Sequence, residues 1–146
     1  MGKAKVLFLC VHNSARSQMA AAYLEKYGGD QFEVDSAGLE PGILNPLAVD
    51  VMREDGIDIS NNPTNDVFSY FREGKMFNYV ITVCDKSASD RCPVFPGMKD
   101  KINWSFEDPS QFLGTKEEKL QKTRVVRDKI KSAVLQFIQT VTDKEK

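Results

Sequence analysis

Lys5-Val6-Leu7-Phe8-Leu9-Cys10-Val11-His12-Asn13-Ser14-Ala15-Arg16-Ser17 decides the reading of this chain. A mostly apolar run of strand length ends in a thiol, a short polar loop follows, and Arg16 stands just before a helical pattern begins. Backbone N–H groups of a loop that curls into a helix N-terminus point inward. With the positive end of the helix dipole they favour a tetrahedral anion. The same field favours thiolate over thiol and can lower a cysteine pKa from about 8.5 into the range of roughly 3.5–7.5. Cys10 is therefore the candidate nucleophile. Val11, His12, Asn13, Ser14, Ala15, Arg16 and Ser17 form the candidate oxyanion cradle, and the planar guanidinium of Arg16 can grip two anion oxygens at once.

Outward from this loop the chain alternates strand and helix. Met19, Ala20, Tyr23, Leu24 and Tyr27 recur at helical spacing until Gly28-Gly29, and Phe32 to Ser36 predicts a second strand that ends in a turn at Ala37-Gly38. Asn45 caps a helix that starts at Pro46 and runs to Asp55-Gly56, and a further helix is expected near Asp66 to Glu73. Tyr79-Val80-Ile81-Thr82-Val83 has the β-branched character of a buried parallel strand and ends at Cys84. Lys101 to Trp104 predicts an edge strand. From Thr115 the series Val126, Ile130, Ala133, Val134, Phe137, Ile138, Val141 predicts one long amphipathic helix with a lysine-rich tail fraying into solvent. This order argues for a single domain over residues 1–146, a three-layer α/β/α unit on a four-stranded parallel sheet with right-handed crossovers.

Ligands of such sheets bind beyond the carboxyl ends of the strands, at the switch point of the strand order. Cys10 and Cys84 each end a strand. If those strands are neighbours, their backbones lie about 4.8 Å apart, within the range where a disulfide can close.

With 20 Lys+Arg against 21 Asp+Glu the formal net charge is -1, so neither a nucleic acid nor an anionic membrane is expected as partner. Met1 to Lys5 is too short for a signal peptide or a membrane span, which predicts a cytoplasmic protein. Structural disulfides do not persist there, so the three cysteines call for a catalytic, metal-binding or inert core explanation. Zinc is disfavoured, because three distant cysteines and one histidine lack the spacing of ligand pairs. No metal and no tightly bound cofactor are expected.

Cys84 reads either as a second thiol of the Cys10 site or as a small hydrophobe at a strand end. The segment from Cys84 to Cys92 has few apolar residues to anchor it and is expected to move. It is long enough to fold back and join its two cysteines, while Cys92 taken alone reads as a surface thiol before Pro93. Asp108-Pro109 lies after the last strand, where the carboxyl group could protonate a leaving oxygen or simply start a turn. Ser17 suits a hydrogen bond to the Cys10 sulfur or a helix cap. Asn13 could brace the loop, and His12 offers its backbone N–H more than its ring. Arg124 and Arg127 read as an exposed helix face.

These residues together resemble the thioredoxin-coupled arsenate reductases, which share the fold of the low-molecular-weight protein tyrosine phosphatases. The resemblance covers nearly the whole chain. It rests on Cys10 through Ala20, Ser36-Ala37-Gly38, Asn45-Pro46, Val83-Cys84 with Cys92-Pro93, and Trp104 through Pro109. Phosphatases of this fold typically lack the cysteine pair and carry tyrosines where this chain has Ser110 and Gln111. The resemblance implies attack of Cys10 on arsenate, with Arg16 holding the anion and Asp108 as acid. Cys84 then attacks Cys10 to release arsenite, and Cys92 moves the disulfide to Cys84–Cys92 for reduction by thioredoxin or a glutaredoxin system. Phosphate or sulfate would serve as substrate analogues. The alternative it leaves is a low-molecular-weight protein tyrosine phosphatase whose extra cysteines protect Cys10. Some members hold a potassium ion with a glutamate directly after the Met-Ala of the motif. Ala21 and Ala22 stand there in this chain, which puts a potassium site in doubt.

Overall fold

Val6, Leu7, Phe8 and Leu9 are all fully buried. Side chains of successive strand residues point to opposite faces, so this strand, β1 (Ala4–Cys10), is covered on both sides. The computed structural model describes residues 3–84 and 90–144. Four strands, β1, β2 (Phe32–Gly38), β3 (Tyr79–Thr82) and β4 (Asp100–Asn103), form one sheet in the order β2-β1-β3-β4. Every pairing is parallel, which is the sheet the sequence implies. The order reverses at β1, and the switch point therefore falls between the carboxyl ends of β1 and β3, where Cys10 and Cys84 lie.

Among the described residues the sheet is flanked by α1 (Arg16–Gly28), α2 (Pro46–Glu54), α3 (Val67–Arg72) and α4 (Lys116–Lys144). Asn45 caps α2 by accepting a hydrogen bond from the Leu47 N–H at 2.9 Å, and Pro46 occupies the first turn, where no N–H is needed. Asp66 caps α3 in the same way. Thr115 and Glu118 exchange hydrogen bonds, 3.1 Å from the Glu118 N–H to Oγ1 and 3.3 Å from the Thr115 N–H to Oε1. This reciprocal box fixes the start of α4. Buried Val126, Ile130, Val134, Phe137 and Val141 lie along one stripe of α4, as the periodicity predicts. Phe137 meets Trp104 at 6.2 Å and Tyr79 at 5.4 Å between ring centres, and Trp104 meets Phe8 at 6.1 Å. A buried phenylalanine such as Phe137 contributes about 1.5–3 kcal/mol, and through it α4 packs on β3 and on the end of β4.

Three expectations change in detail. The second strand does not turn at Ala37-Gly38 but continues, because β1 runs on and pairs Leu9 with Ala37 and Cys10 with Gly38. Arg124 and Arg127 are not a bare solvent face: both bond Glu54 of α2, and Arg127 also donates to the Val51 carbonyl at 2.9 Å, which ties α4 to α2. Cys92 is buried within the core cluster rather than held at the surface. The residues between, 85–89, which the sequence reading expects to move, lie outside the described residues, as do 145 and 146 of the lysine-rich tail.

Candidate functional site

The loop after β1 is held by its carbonyls. Those of Cys10, Val11, His12 and Ser14 accept hydrogen bonds from the N–H groups of Leu39, Glu40, Gly42 and Asn45, at 3.1, 2.8, 2.9 and 2.8 Å. In a trans peptide the carbonyl and the following N–H point opposite ways. Tying these carbonyls to the 39–45 segment therefore turns the N–H groups of Val11, His12, Asn13 and Ala15 away from it, and Val11 and His12 line a hollow at this loop. A Cβ at Gly38 would stand 2.7 Å from the Val11 oxygen and 2.9 Å from the Asn13 nitrogen, so only glycine lets β2 approach the loop this closely. Asn13 takes the left-handed φ of 55° inside the turn and is completely buried. Its Nδ2 donates to Ser17 Oγ at 2.7 Å, and its Oδ1 accepts from the Asn65 N–H at 2.9 Å.

Cys10, at the start of this loop, is almost wholly buried. A hydrogen bond from the Cys84 side chain is the largest influence on it and favours the thiolate. Burial opposes, the Arg16 charge and the Val11 N–H assist, and the balance lowers its pKa from 9.0 to about 7. Parallel pairing of β1 with β3 brings the second thiol here: the Val83 N–H donates to the Leu9 carbonyl at 3.0 Å, and Cys84 Sγ lies 4.0 Å from the same oxygen. Cys84 is both part of the buried core and a wall of the cavity beside the loop. Asn103, at the end of β4, bonds both Thr82 Oγ1 at 2.5 Å and the Cys84 carbonyl at 3.5 Å, so the strand end carrying Cys84 is pinned from the neighbouring strand.

Arg16 and Asp108 close the opposite wall. One Arg16 nitrogen donates to the Phe106 carbonyl at 3.1 Å and the other stands 3.4 Å from Asp108 Oδ2. Asp108 Oδ1 accepts from the Ser110 N–H and hydroxyl at 2.9 and 2.8 Å, capping the short 3-10 turn Pro109–Gln111. Its two oxygens thus divide between the two roles the sequence left open, one in the turn and one at the site. A cavity of about 370 Å³ opens between Val11, His12, Arg16, Cys84, Phe106, Asp108 and Gln111. That volume suits a small anion together with the groups that process it.

The remaining candidates fall outside the hollow or change their parts. Ser17 is no cap: α1 starts after Ala15 without a side-chain cap bond, and the Ser17 hydroxyl accepts from Asn13. The His12 ring is exposed and bonds the Glu40 carbonyl through Nδ1 at 2.9 Å, so the ring braces the loop from outside. Cys92 sits in the core with its Sγ 3.3 Å from the Pro93 carbonyl, and burial pushes its thiol up to about 11. In this state Cys10 is poised to react and Cys92 is held as the protonated thiol. Gln18, Gly38, Asn65, Asn103 and Gln111 were not picked out as site residues from the sequence. Gln18, Gly38, Asn65 and Asn103 meet partners distant in the chain, and Gln111 only lines the cavity, so no local spacing marks them.

No cluster of three His, Cys, Asp or Glu side chains able to hold a metal ion occurs among the described residues. Beside the loop the side chain at position 21 is a methyl group, and the two Asn13 oxygens accept from Gln18 Nε2 and from the Asn65 N–H.

Residues 5–146 match the family model of the low molecular weight phosphotyrosine protein phosphatases. An arsenate reductase of Halalkalibacterium halodurans is 41% identical over 140 residues, covering 96% of this chain and 99% of that protein. A solved structure described as an arsenate reductase in the phosphate binding state superposes with a TM-score of 0.74 at 30% identity, covering 94% of this chain and 98% of its own. A thioredoxin-dependent arsenate reductase of Corynebacterium glutamicum superposes with a TM-score of 0.60 at 29% identity, covering 91% of this chain and 62% of that one.

Proposed function

The chain belongs to the low molecular weight phosphotyrosine protein phosphatase family and its activity is the reduction of arsenate to arsenite, and from that premise we propose a turnover carried by Cys10, Cys84 and Cys92 and completed by thioredoxin. The observation that carries the proposal is the placement of Cys84 at the end of β3, paired in parallel with the strand that ends at Cys10, with its Sγ 4.0 Å from the Leu9 carbonyl and its side chain in the wall of the cavity that Arg16 and Asp108 line. A phosphatase needs one thiolate. A reductase needs a second sulfur within reach of the first.

Arsenate enters the hollow as a tetrahedral anion, met by the inward N–H groups and by the Arg16 guanidinium. The Cys10 thiolate attacks arsenic and an arsenic–oxygen bond breaks. Asp108, across from Arg16, gives the departing oxygen a proton so that water leaves rather than hydroxide. Cys84 then attacks the Cys10 sulfur. The sulfur–arsenic bond breaks with its electron pair on arsenic, arsenite departs, and a Cys10–Cys84 disulfide remains. Cys92, once released from its buried seat and deprotonated, attacks Cys84, which frees the Cys10 thiolate and leaves a Cys84–Cys92 disulfide. A dithiol protein of the thioredoxin class returns both to thiols.

The burial of Cys92 supports this order, because a thiol raised to about 11 does not compete with Cys84 in the first exchange. No helix among the described residues is long and apolar enough to cross a membrane, and the relay belongs in a reducing cytoplasm. The same hollow would hydrolyse a phosphoester weakly, since its first step needs only Cys10, Arg16 and Asp108.

The deciding experiment follows arsenate-dependent oxidation of thioredoxin, with glutaredoxin and glutathione as the parallel arm and para-nitrophenyl phosphate hydrolysis beside both. Sustained arsenite production with thioredoxin supports the proposal. Turnover with glutaredoxin alone replaces the donor, and phosphoester hydrolysis without arsenite production overturns the relay.

A further inference from the structure

Behind the anion loop, on the side away from Arg16 and Asp108, three oxygens converge on one nitrogen. Gln18 Nε2 lies 3.1 Å from the Asn13 carbonyl, 3.2 Å from Asn13 Oδ1 and 2.9 Å from the Pro63 carbonyl. Gln18 is buried, and its own Oε1 accepts from Asn62 Nδ2 at 3.2 Å, which fixes which end of the amide faces the oxygens. Two of the three oxygens belong to Asn13, the loop residue with a left-handed backbone. The third belongs to the 60–65 segment, which reaches the loop again through the Asn65 N–H to Asn13 Oδ1 at 2.9 Å and through Asn65 Nδ2 to the Ser36 carbonyl at 3.0 Å.

A point ringed by carbonyl and amide oxygens accepts either a cation or an N–H donor. Left empty, the oxygens would repel one another, and the buried Asn13 carbonyl would be without a partner. Here the carboxamide of Gln18 takes that place, and no buried side-chain nitrogen or oxygen among the described residues lacks a partner.

We propose that Gln18 is a positioning residue that does with its amide what a loop-bound monovalent cation would do: it holds Asn13 in its left-handed turn and thereby keeps the loop N–H groups converged on the oxyanion. Anion binding by this chain is accordingly indifferent to potassium. The inference rests on the reading of residues 10–17 as the oxyanion loop, and not on the later thiol steps.

The test uses the whole protein and measures how phosphate protects Cys10 from alkylation by iodoacetamide, in potassium chloride and in tetramethylammonium chloride at equal ionic strength. KM and kcat for arsenate are measured alongside. Wild-type protection is expected to be equal in the two salts. Gln18→Leu should weaken phosphate protection and raise KM by roughly tenfold in both salts, the worth of one or two hydrogen bonds, with a smaller change in kcat. Gln18→Glu keeps the length of the side chain but places an oxygen among three others. It should bind phosphate poorly in tetramethylammonium and recover in potassium, a response that general damage to the fold would not give. Marked stimulation of the wild type by potassium, or unaltered phosphate protection in both variants, overturns the proposal. Intact protection in a wild type that produces no arsenite would instead overturn the reductase relay and leave the role of Gln18 standing.

Discussion

Cys10 ends β1 and Cys84 follows the paired strand β3, its Sγ 4.0 Å from the Leu9 carbonyl, and the Cys84 side chain does more than any other group to bring the Cys10 pKa down from 9.0 to about 7. The thiol that is to attack Cys10 in the second step therefore also prepares it for the first. Cys84→Ala and Cys84→Ser separate these parts. Both should abolish arsenite release, since neither side chain can attack sulfur. Only alanine removes the donor, so the midpoint of Cys10 alkylation against pH should move upward in Cys84→Ala and stay near 7 in Cys84→Ser. Arsenite release at a normal rate in either variant would exclude Cys84 from the chemistry.

The pH dependence of the wild type follows with a definite sign. A thiol whose folded pKa is lowered is the thiolate above about 7, so the rate of the first step should rise as pH is raised through that value and level off above it. Stability shifts the same way: the contribution of this group is complete above the unfolded pKa near 9.0 and is lost as pH falls through about 7. Alkylation rates and urea midpoints measured from pH 6 to 9 check both trends. Cys92, raised to about 11 by burial, should remain unlabelled over this range in the reduced protein.

Arg16 stands between the Phe106 carbonyl and Asp108, at 3.1 and 3.4 Å. Arg16→Lys keeps the charge but cannot hold an anion and both neighbours with one ammonium group. Phosphate protection of Cys10 and arsenate turnover should fall together, by at least about 100-fold in kcat/KM if two or more charge-assisted bonds are lost. Asp108→Asn should act differently, slowing kcat while leaving phosphate protection nearly intact, because its part is proton donation to the leaving oxygen. Equal losses of binding in both variants would deny Asp108 that part.

The close approach of Gly38 gives a stability test. Gly38→Ala places a methyl group 2.7 Å from the Val11 oxygen and 2.9 Å from the Asn13 nitrogen, both backbone atoms that can move only with the loop. Overpacking of this kind costs about 1–3 kcal/mol, so the melting temperature should drop by several degrees, and arsenate turnover should fall further than the stability change alone explains. A variant as stable and active as the wild type would show that the loop has slack.

The sheet, its helices and the anion loop were legible in the sequence because each is written in local signals. Val6 to Leu9 and Tyr79 to Val83 read as buried strands, Asn45-Pro46 as a cap, and Cys10 to Ser17 as a turn into a helix. The adjacency of Cys10 and Cys84 needed one further rule, that a parallel sheet has a switch point, and the strand order β2-β1-β3-β4 supplies it. The bracing of the loop could not be read in this way. Asn65 meets Asn13 across 52 positions, Gln18 meets Pro63 across 45, and Arg127 reaches Val51 across 76, and none has a periodicity or spacing that sets it apart from an ordinary polar residue. The burial of Cys92 was illegible for a related reason: the polar Asp85 to Arg91 before it carries no apolar spacing, and the buried Phe95 after it is anchored by Phe77, edge-on at 5.0 Å and distant in the chain.

That burial sharpens what Cys92→Ser should do. In the reduced protein the substitution touches neither the anion loop nor the Cys10–Cys84 bond, so Cys10 alkylation, phosphate protection and the first arsenite released should match the wild type. The next exchange has no attacking sulfur, and the protein should stop after one turnover with a Cys10–Cys84 disulfide at the bottom of a hollow that a dithiol protein cannot enter. In the wild type, reaching Cys84 requires Cys92 to leave its seat beside Pro93. Formation of the Cys84–Cys92 disulfide should therefore raise amide exchange in residues 92–95 relative to the reduced protein, whereas the oxidised Cys92→Ser variant should keep them protected. Mass spectrometry of arsenate-treated protein gives the bridges and exchange gives the movement. Repeated turnover by Cys92→Ser with thioredoxin, or unchanged exchange at residues 92–95 in the oxidised wild type, would remove Cys92 from the relay.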